Sequence, residues 1–252
     1  MTKRRKFLTT SFILSLGFVG IQFLDNPFKM YAIFALSLIT SLLFLWSLWE
    51  GIGKNSTLLT LILPSLFTAG VGIFWFLLPA NIFARLPMII FYGLGVYALS
   101  LTMNVFTVSA VRTIALLRAA RGVGFVLTLI TSFLVYNAIL SLKIPFWGSS
   151  LLITVFSFPL FLQGFWTIPL DRKISKDLLN LSVMSSLVVA EIAVSLFFWP
   201  TSLVVGSIFL TVTVYVLLGL GQAKLEQRLF TQTVKEYLLV GMLVFIGMFF
   251  AT

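Results

Sequence analysis

Apolar residues occur along the chain in runs of about 20 positions, separated by short polar stretches. Nine such segments can be identified, at 8–24, 30–49, 56–79, 86–108, 122–142, 148–170, 178–199, 201–222 and 237–252. A helix of about 20 apolar residues spans the hydrocarbon core of a bilayer. Barrel strands would instead alternate apolar and polar residues over about ten positions. The sequence therefore predicts an all-α, polytopic membrane helix bundle, one transmembrane domain over 1–252 with about eight or nine spans.

The first and last segments are each shorter than about 20 residues. The first follows a basic stretch at 3–6, as in a signal peptide, but no small-x-small cleavage site follows it, so we expect an uncleaved helix. If 237–252 lies in the membrane interface instead of crossing the bilayer, the number of spans is eight.

Composition supports a membrane location. Hydrophobic residues make up 60% of the chain and charged residues 10%, with a mean hydropathy of +1.12. Soluble proteins carry about 25% charged residues. The chain therefore lacks the water-facing surface of a globular protein.

The basic residues are distributed unevenly between the two ends of the predicted spans. With the N-terminus in the cytoplasm, only three of the 17 Lys and Arg residues fall in outer loops: Lys29, Arg85 and Lys143. Because inner loops are enriched in Lys and Arg, this distribution predicts a cytoplasmic N-terminus.

The net charge of +10 is interpreted as topogenic charge and contact with the bilayer, and no nucleic-acid partner is expected. Anionic lipid headgroups on the inner face are the expected ligands of the basic residues of two inner loops. Those residues are Arg112, Arg118, Arg121, Lys224, Arg228 and Lys235. The stretch 224–236 is amphipathic and predicts an interfacial helix, and 109–121 is expected to extend the fourth helix.

The chain contains no Cys and no His. Disulfides, thiolate catalysis, Cys/His zinc sites and imidazole acid–base chemistry are therefore excluded. No nucleotide-binding motif and no pair of intramembrane acids occurs. We expect no metal, no cofactor and no enzymatic activity.

Glu191 is the one ionisable side chain within a predicted span, roughly 12 Å below the outer interface. A carboxylate in hydrocarbon is costly, so it must be protonated, paired, or turned toward a wet cavity. Tyr92, Tyr136 and Asn137 are expected at a comparable depth, and Ser195 lies one turn further on the same helix face. Together these five residues form the candidate polar site. Glu191 either relays a proton or cation, or is a structural acid between helices or against a partner subunit.

Pro64 and Pro159 lie inside predicted spans, where each should bend its helix and free a backbone carbonyl group. The first functional hypothesis is thus a transporter or permease for an unknown solute. The second, a structural or scaffold subunit of a membrane complex, rests on the few polar residues that could line a pathway. A lipid-modifying enzyme is a weaker third alternative. Short loops and compactness favour a bacterial inner membrane.

Overall fold

In the computed structural model the chain is helical almost throughout. The structure describes residues 2–24, 26–55, 58–78, 82–108, 114–171 and 174–250, with side chains for all of these except 26–27, 50, 52–55, 58 and 82–84. The helices are α1 (Lys3–Ile21), α2 (Asn26–Asn55), a 3-10 turn (Leu58–Leu61), α3 (Ile62–Leu77), α4 (Ile82–Thr107), α5 (Ile114–Ser141), α6 (Phe146–Trp166), α7 (Lys176–Phe197), α8 (Leu203–Leu225) and α9 (Thr231–Phe250). Each predicted segment overlaps one of these helices, and the all-α fold is confirmed.

Among the described residues, eight helices, α2 to α9, are long and apolar enough to cross a membrane, with α3 taken together with the 3-10 turn before it. The last is among them because it begins at Thr231 and reaches 20 residues, about 30 Å of helix. The first helix is not, because its first turn is basic and its apolar part, 7–21, extends only about 22 Å. From the sequence, either terminal segment could have been too short to cross a bilayer. In the structure the short one is α1, whereas α9 is long enough.

The predicted interfacial helix over 224–236 is wrong. Helix α8 ends at Leu225 and α9 begins at Thr231. Gln227 takes the left-handed conformation (φ 56°), and the Arg228 amide donates to the Ala223 carbonyl oxygen. This is a Schellman ending, which turns the chain out of the helix axis and satisfies the last carbonyl groups of α8.

The expectation that 109–121 extends the fourth helix is also wrong for the residues that the structure describes. Helix α4 ends at Thr107, and Arg118 and Arg121 lie in the first turns of α5, which begins at Ile114. Arg112 lies outside the described residues.

The chain divides into two compact units, Met1–Leu127 and Thr128–Thr252, and the boundary falls within α5. The single domain over 1–252 stays a prediction, because a compact unit need not fold by itself. In unit 1, α1 packs against α2 and α4, and α2 packs against α3. In unit 2, α6 and α7 form the most extensive helix pair, and α9 packs against α8.

The two prolines predicted to lie inside spans differ: Pro159 lies inside its helix as predicted, whereas Pro64 lies in the first turn of its helix. Pro64 lies in the first turn of α3, directly after the 3-10 turn, where a proline is tolerated, and the bend expected there stays a prediction. Pro159 lies inside α6 and leaves the Val155 carbonyl group without its usual helical donor.

Close packing at Gly221 generates a stability prediction. A Cβ atom at Gly221 would collide with the ring of Phe165, which is fully buried and cannot turn away. We expect Gly221→Ala to lower the free energy of unfolding by about 1–3 kcal/mol, measured by titration with SDS from mild detergent. Gly247→Ala is the matched control, since a Cβ there meets no atom within 4 Å. Equal losses in both variants would contradict this packing.

Candidate functional site

Glu191 lies on the exposed face of α7, six residues before the last residue of the helix, about 9 Å along its axis. Its neighbours on that face are apolar and exposed: Met184 (66%), Leu187 (49%) and Val188 (37%). The carboxylate therefore interrupts an otherwise apolar surface at a depth within the candidate span Lys176–Phe197.

The Glu191 carboxylate forms no hydrogen bond and no ion pair with any described residue. Lys143, the nearest basic residue expected from the sequence, does not pair with it either. Ser195 is exposed on the same face, but its hydroxyl group donates to the Glu191 backbone carbonyl oxygen (3.1 Å). A hydroxyl group has one proton to donate. Ser195 therefore stabilises the backbone of α7 and leaves the carboxylate unsatisfied.

The opposite face of α7 explains this orientation. It carries small buried residues, including Ser182, Ala190 and Ala193, and Ser150 of α6 donates to the Ala190 carbonyl oxygen (3.3 Å). Small side chains let the two helix backbones approach closely. With that face committed to α6, the helical repeat turns position 191 outward.

Tyr136 and Asn137 of α5 are buried and bond to neighbouring helices of unit 2. The Tyr136 hydroxyl lies 2.7 Å from the Ser157 hydroxyl of α6, and the Asn137 amide donates to the Ser207 hydroxyl of α8 (3.0 Å). These bonds join α5 to its neighbours inside the unit. They are of the kind that commonly holds membrane helices together.

Tyr92 belongs to unit 1, in a cluster that the sequence did not reveal. Its hydroxyl lies 3.1 Å from the Thr68 hydroxyl, which lies 3.0 Å from the Thr40 hydroxyl, and all three residues are fully buried. The Tyr92 ring stacks on Phe18 (4.9 Å between centroids) and on Phe67 (5.9 Å). Four helices, α1 to α4, thus meet at one side chain.

The five candidate site residues are therefore divided. Tyr92 lies in unit 1, Tyr136 and Asn137 bond within unit 2, and Glu191 and Ser195 are exposed on α7. No pattern in the sequence distinguishes Thr40 and Thr68 from the many other hydroxyl residues of the spans. Their pairing depends on the register between α2 and α3, which only packing decides.

A second buried polar group lies near the end of α6. Gln163 is 1% exposed, and its Oε1 has no hydrogen-bond partner among the described residues. One residue along, the Gly164 carbonyl oxygen accepts from the Gln222 amide of α8 (3.0 Å) and from the Thr167 hydroxyl (2.7 Å). At this end of α6 the Gln163 Oε1 therefore accepts no hydrogen bond from the described residues, whereas the neighbouring Gly164 carbonyl oxygen accepts two.

Among the described basic residues proposed to contact lipid headgroups, Arg118, Lys224, Arg228 and Lys235 are exposed and Arg121 is partly buried. Within the part of the chain that the structure describes, no group of acidic residues could hold a metal ion. The described groove of about 520 Å³ is lined by α1, including Leu8, Phe12 and Ser15, and Glu191 does not line it.

The hydroxyl cluster of unit 1 predicts a specific cost for Tyr92→Phe. Removing this hydroxyl leaves the buried Thr40–Thr68 pair with one partner fewer, so the free energy of unfolding should fall by about 0.5–2 kcal/mol. Tyr31→Phe is the matched control, because Tyr31 is 76% exposed and should lose nothing measurable. The two variants are compared by SDS-induced unfolding, and a loss confined to Tyr31→Phe would contradict the cluster.

The exposure of Glu191 predicts that the purified protein does not need its carboxylate. Glu191→Leu should leave the melting temperature in mild detergent unchanged or raise it, because an unpaired polar group is replaced by an apolar one. Asn137→Leu should lower it, since the buried Ser207 hydroxyl loses its donor. Thermal unfolding monitored by size-exclusion chromatography checks both variants. Destabilisation by Glu191→Leu as large as that by Asn137→Leu would show that Glu191 is paired inside the protein.

Comparison with known protein families finds a match that covers most of the chain. Residues 10–251 match the family described as Protein of unknown function (DUF5656). No curated protein matches the chain, and no solved structure matches it either. Because the family match covers well over half of the chain, the chain belongs to this family.

Proposed function

We propose that the chain is a multi-pass membrane protein, oriented with the start of α1 in the cytoplasm, that serves as a structural subunit of a membrane complex. The orientation is supported by the uneven distribution of Lys and Arg between the two ends of the helices. The short connections between helices favour a bacterial inner membrane as its location.

The observation that carries the subunit proposal is the exposed, unpaired carboxylate of Glu191. An acidic side chain at the centre of a spanning helix costs about 2.5–3.5 kcal/mol on insertion scales and less toward the interface, and such residues almost always face a partner or water. The described residues of the chain provide neither a hydrogen bond nor an ion pair to this group. A partner helix that brings a donor to the same depth would remove the cost.

Charge complementarity indicates what that partner carries. In the described part of the chain, every Lys and Arg side chain lies in a connection or within about two turns of a helix end. Of these, the described basic residues at the outer ends, Lys29, Arg85 and Lys143, lie two or three residues from a helix end, nearer to it than Glu191, which lies six residues from the end of α7. A second copy of the chain therefore places its cations nearer the interface than Glu191. The partner is a different membrane protein, with a Lys or Arg in a transmembrane helix at the depth of Glu191.

Photocrosslinking from the α7 face tests this proposal. A photoreactive amino acid at Met184, which is 66% exposed on the Glu191 face, should crosslink in native membranes to one discrete protein. The same group at Leu151 of α6, 61% exposed, is the matched control for nonspecific capture.

A charge exchange then decides whether the crosslinked protein is the partner. Glu191→Lys should abolish the crosslink from position 184, and an acid in place of the partner's basic residue should restore it. Crosslinks from 184 to lipid alone, or to a second copy of this chain, would refute the subunit proposal.

Transport of a solute remains the second candidate function, favoured by the unsatisfied Gln163 Oε1 close to the proline-interrupted part of α6. A buried acceptor without a donor is a position where a ligand or water could bind. The candidate site of a transporter would then lie at the end of α6 and not at Glu191.

A further inference from the structure

Several helix ends gather at one end of unit 1. The Lys6 amine lies 5.6 Å from the centroid of the Trp46 ring, which brings the start of α1 beside the last part of α2. A Cβ atom at Gly51 would touch the Thr107 side chain, which brings the end of α2 beside the end of α4. We call these neighbouring helix ends, residues 3–6 of α1, 46–55 of α2 and Thr107 of α4, the basic end of unit 1.

The start of α5 lies at the same end. A Cβ atom at Gly124 would contact Thr102 and Phe106 of α4 at 3.5 and 3.7 Å. Arg118 precedes Gly124 by six residues, about 9 Å along the helix, on the side from which the chain enters α5 after leaving α4. Arg118 therefore lies near the basic end of unit 1.

The charge at this end is nearly all of one sign. In the sequence, residues 3–6, 50–54 and 112–121, which belong to these helix ends or adjoin them along the chain, contain eight basic residues and one acid, Glu50; the basic residues are Lys3, Arg4, Arg5, Lys6, Lys54, Arg112, Arg118 and Arg121, of which Arg112 lies outside the described residues. The corresponding connections of unit 2 contain six basic residues and four acids: Arg172, Lys173, Lys176, Lys224, Arg228 and Lys235 against Asp171, Asp177, Glu226 and Glu236. The two units share a topogenic pattern but differ strongly in net charge.

The partial charges at the N-termini of the helices also contribute to the positive potential at the basic end of unit 1. Helices α1 and α5 have no acidic residue in their first turns, and Thr2 makes no capping hydrogen bond with its side chain. In unit 2, helix α7 has Ser175 as a cap and Asp177 in its first turn, whereas α9, like α1 and α5, has no acid in its first turn. Since a helix start carries a partial positive charge, α1 and α5 increase the positive potential, whereas α7 offsets its own.

Topology alone does not require this asymmetry. Acidic residues contribute little to membrane orientation, so the acids of unit 2 could equally have been present in unit 1. Their scarcity leaves a concentrated positive field in one place. Trp46 and Trp49 are 46% and 71% exposed on the last turns of α2 beside it, a position typical of the headgroup level.

We propose that the basic end of unit 1 binds the headgroups of anionic phospholipids, and that the corresponding end of unit 2 does not. The ligand is a lipid and not a soluble anion, because the exposed rings of Trp46 and Trp49 flank the cations, as is typical of side chains at the headgroup level. This refines the expectation from the sequence, which assigned headgroup contacts to Lys224, Arg228 and Lys235 as well. It is independent of any partner at Glu191.

Two triple variants with equal charge changes test the proposal. One carries Arg4→Gln, Arg5→Gln and Arg118→Gln, and the other carries Lys224→Gln, Arg228→Gln and Lys235→Gln; all six side chains are exposed. Native mass spectrometry of the full-length purified chain measures bound phosphatidylglycerol against phosphatidylcholine at equal concentrations. The unit 1 variant should lose at least about tenfold of the preference for phosphatidylglycerol, and the unit 2 variant less than about twofold.

Two further measurements keep the test decisive if a variant folds poorly. In the unsubstituted protein, raising NaCl from about 50 to about 500 mM should reduce the preference, since salt screens exposed charges. Inorganic phosphate at the same concentration as the lipid should not displace phosphatidylglycerol. Equal losses in the two variants, no preference in the unsubstituted protein, no effect of salt, or displacement by phosphate would each overturn the proposal.

Discussion

In hydrocarbon there is no water to bond a free N–H or C=O group, so every backbone polar group must find its partner within the protein. For a chain proposed to cross a membrane, this constraint accounts for the long apolar helices, and the side chains then decide how those helices meet. It also explains why hydroxyl residues are tolerated in the spans. The hydroxyls of Ser100, Ser132 and Ser182 each donate to the carbonyl oxygen four residues earlier, so each satisfies itself within its own helix.

Glu191 differs from these hydroxyl residues, because its carboxylate has no hydrogen-bond partner among the described residues. Its carboxylate cannot be satisfied by its own helix, and the face of α7 that could have buried it is filled by small residues packed on α6. The buried amide of Asn137 and hydroxyls of Tyr92 and Tyr136 are held by short contacts within their units. These buried amide and hydroxyl groups thus hold helices together, whereas the exposed Glu191 carboxylate and the buried Gln163 Oε1 have no partner among the described residues.

The sequence predicted the helices well because a run of about 20 apolar residues has few other structures available in a membrane. It predicted their ends less well. Gln227 forms a Schellman ending without the usual glycine, so the break after α8 had no visible signal, and the amphipathic pattern of 224–236 indicated a single helix instead. Pro64 was predicted to lie inside a span because the sequence does not mark where the first turn of α3 begins.

The candidate site was less predictable for a different reason. Glu191 was recognised as the exceptional residue, but hydropathy does not tell which side of a helix faces its neighbours when all sides are apolar. Tyr92 and Tyr136 were grouped with it by depth alone, whereas contacts between helices depend on rotation about each axis as well. Thr40 and Thr68 became visible only through the packing of α2 on α3.

The surroundings of position 191 test the central claim most directly, and the absence of Cys from the chain makes a single spin label there unambiguous. Electron paramagnetic resonance of Glu191→Cys, labelled and reconstituted in lipid without other proteins, reports collisions with oxygen and with a water-soluble nickel complex. The account predicts high oxygen and low nickel accessibility, as for a lipid-facing site that a partner would cover. High nickel accessibility would show a water-filled cavity at Glu191 and would contradict it.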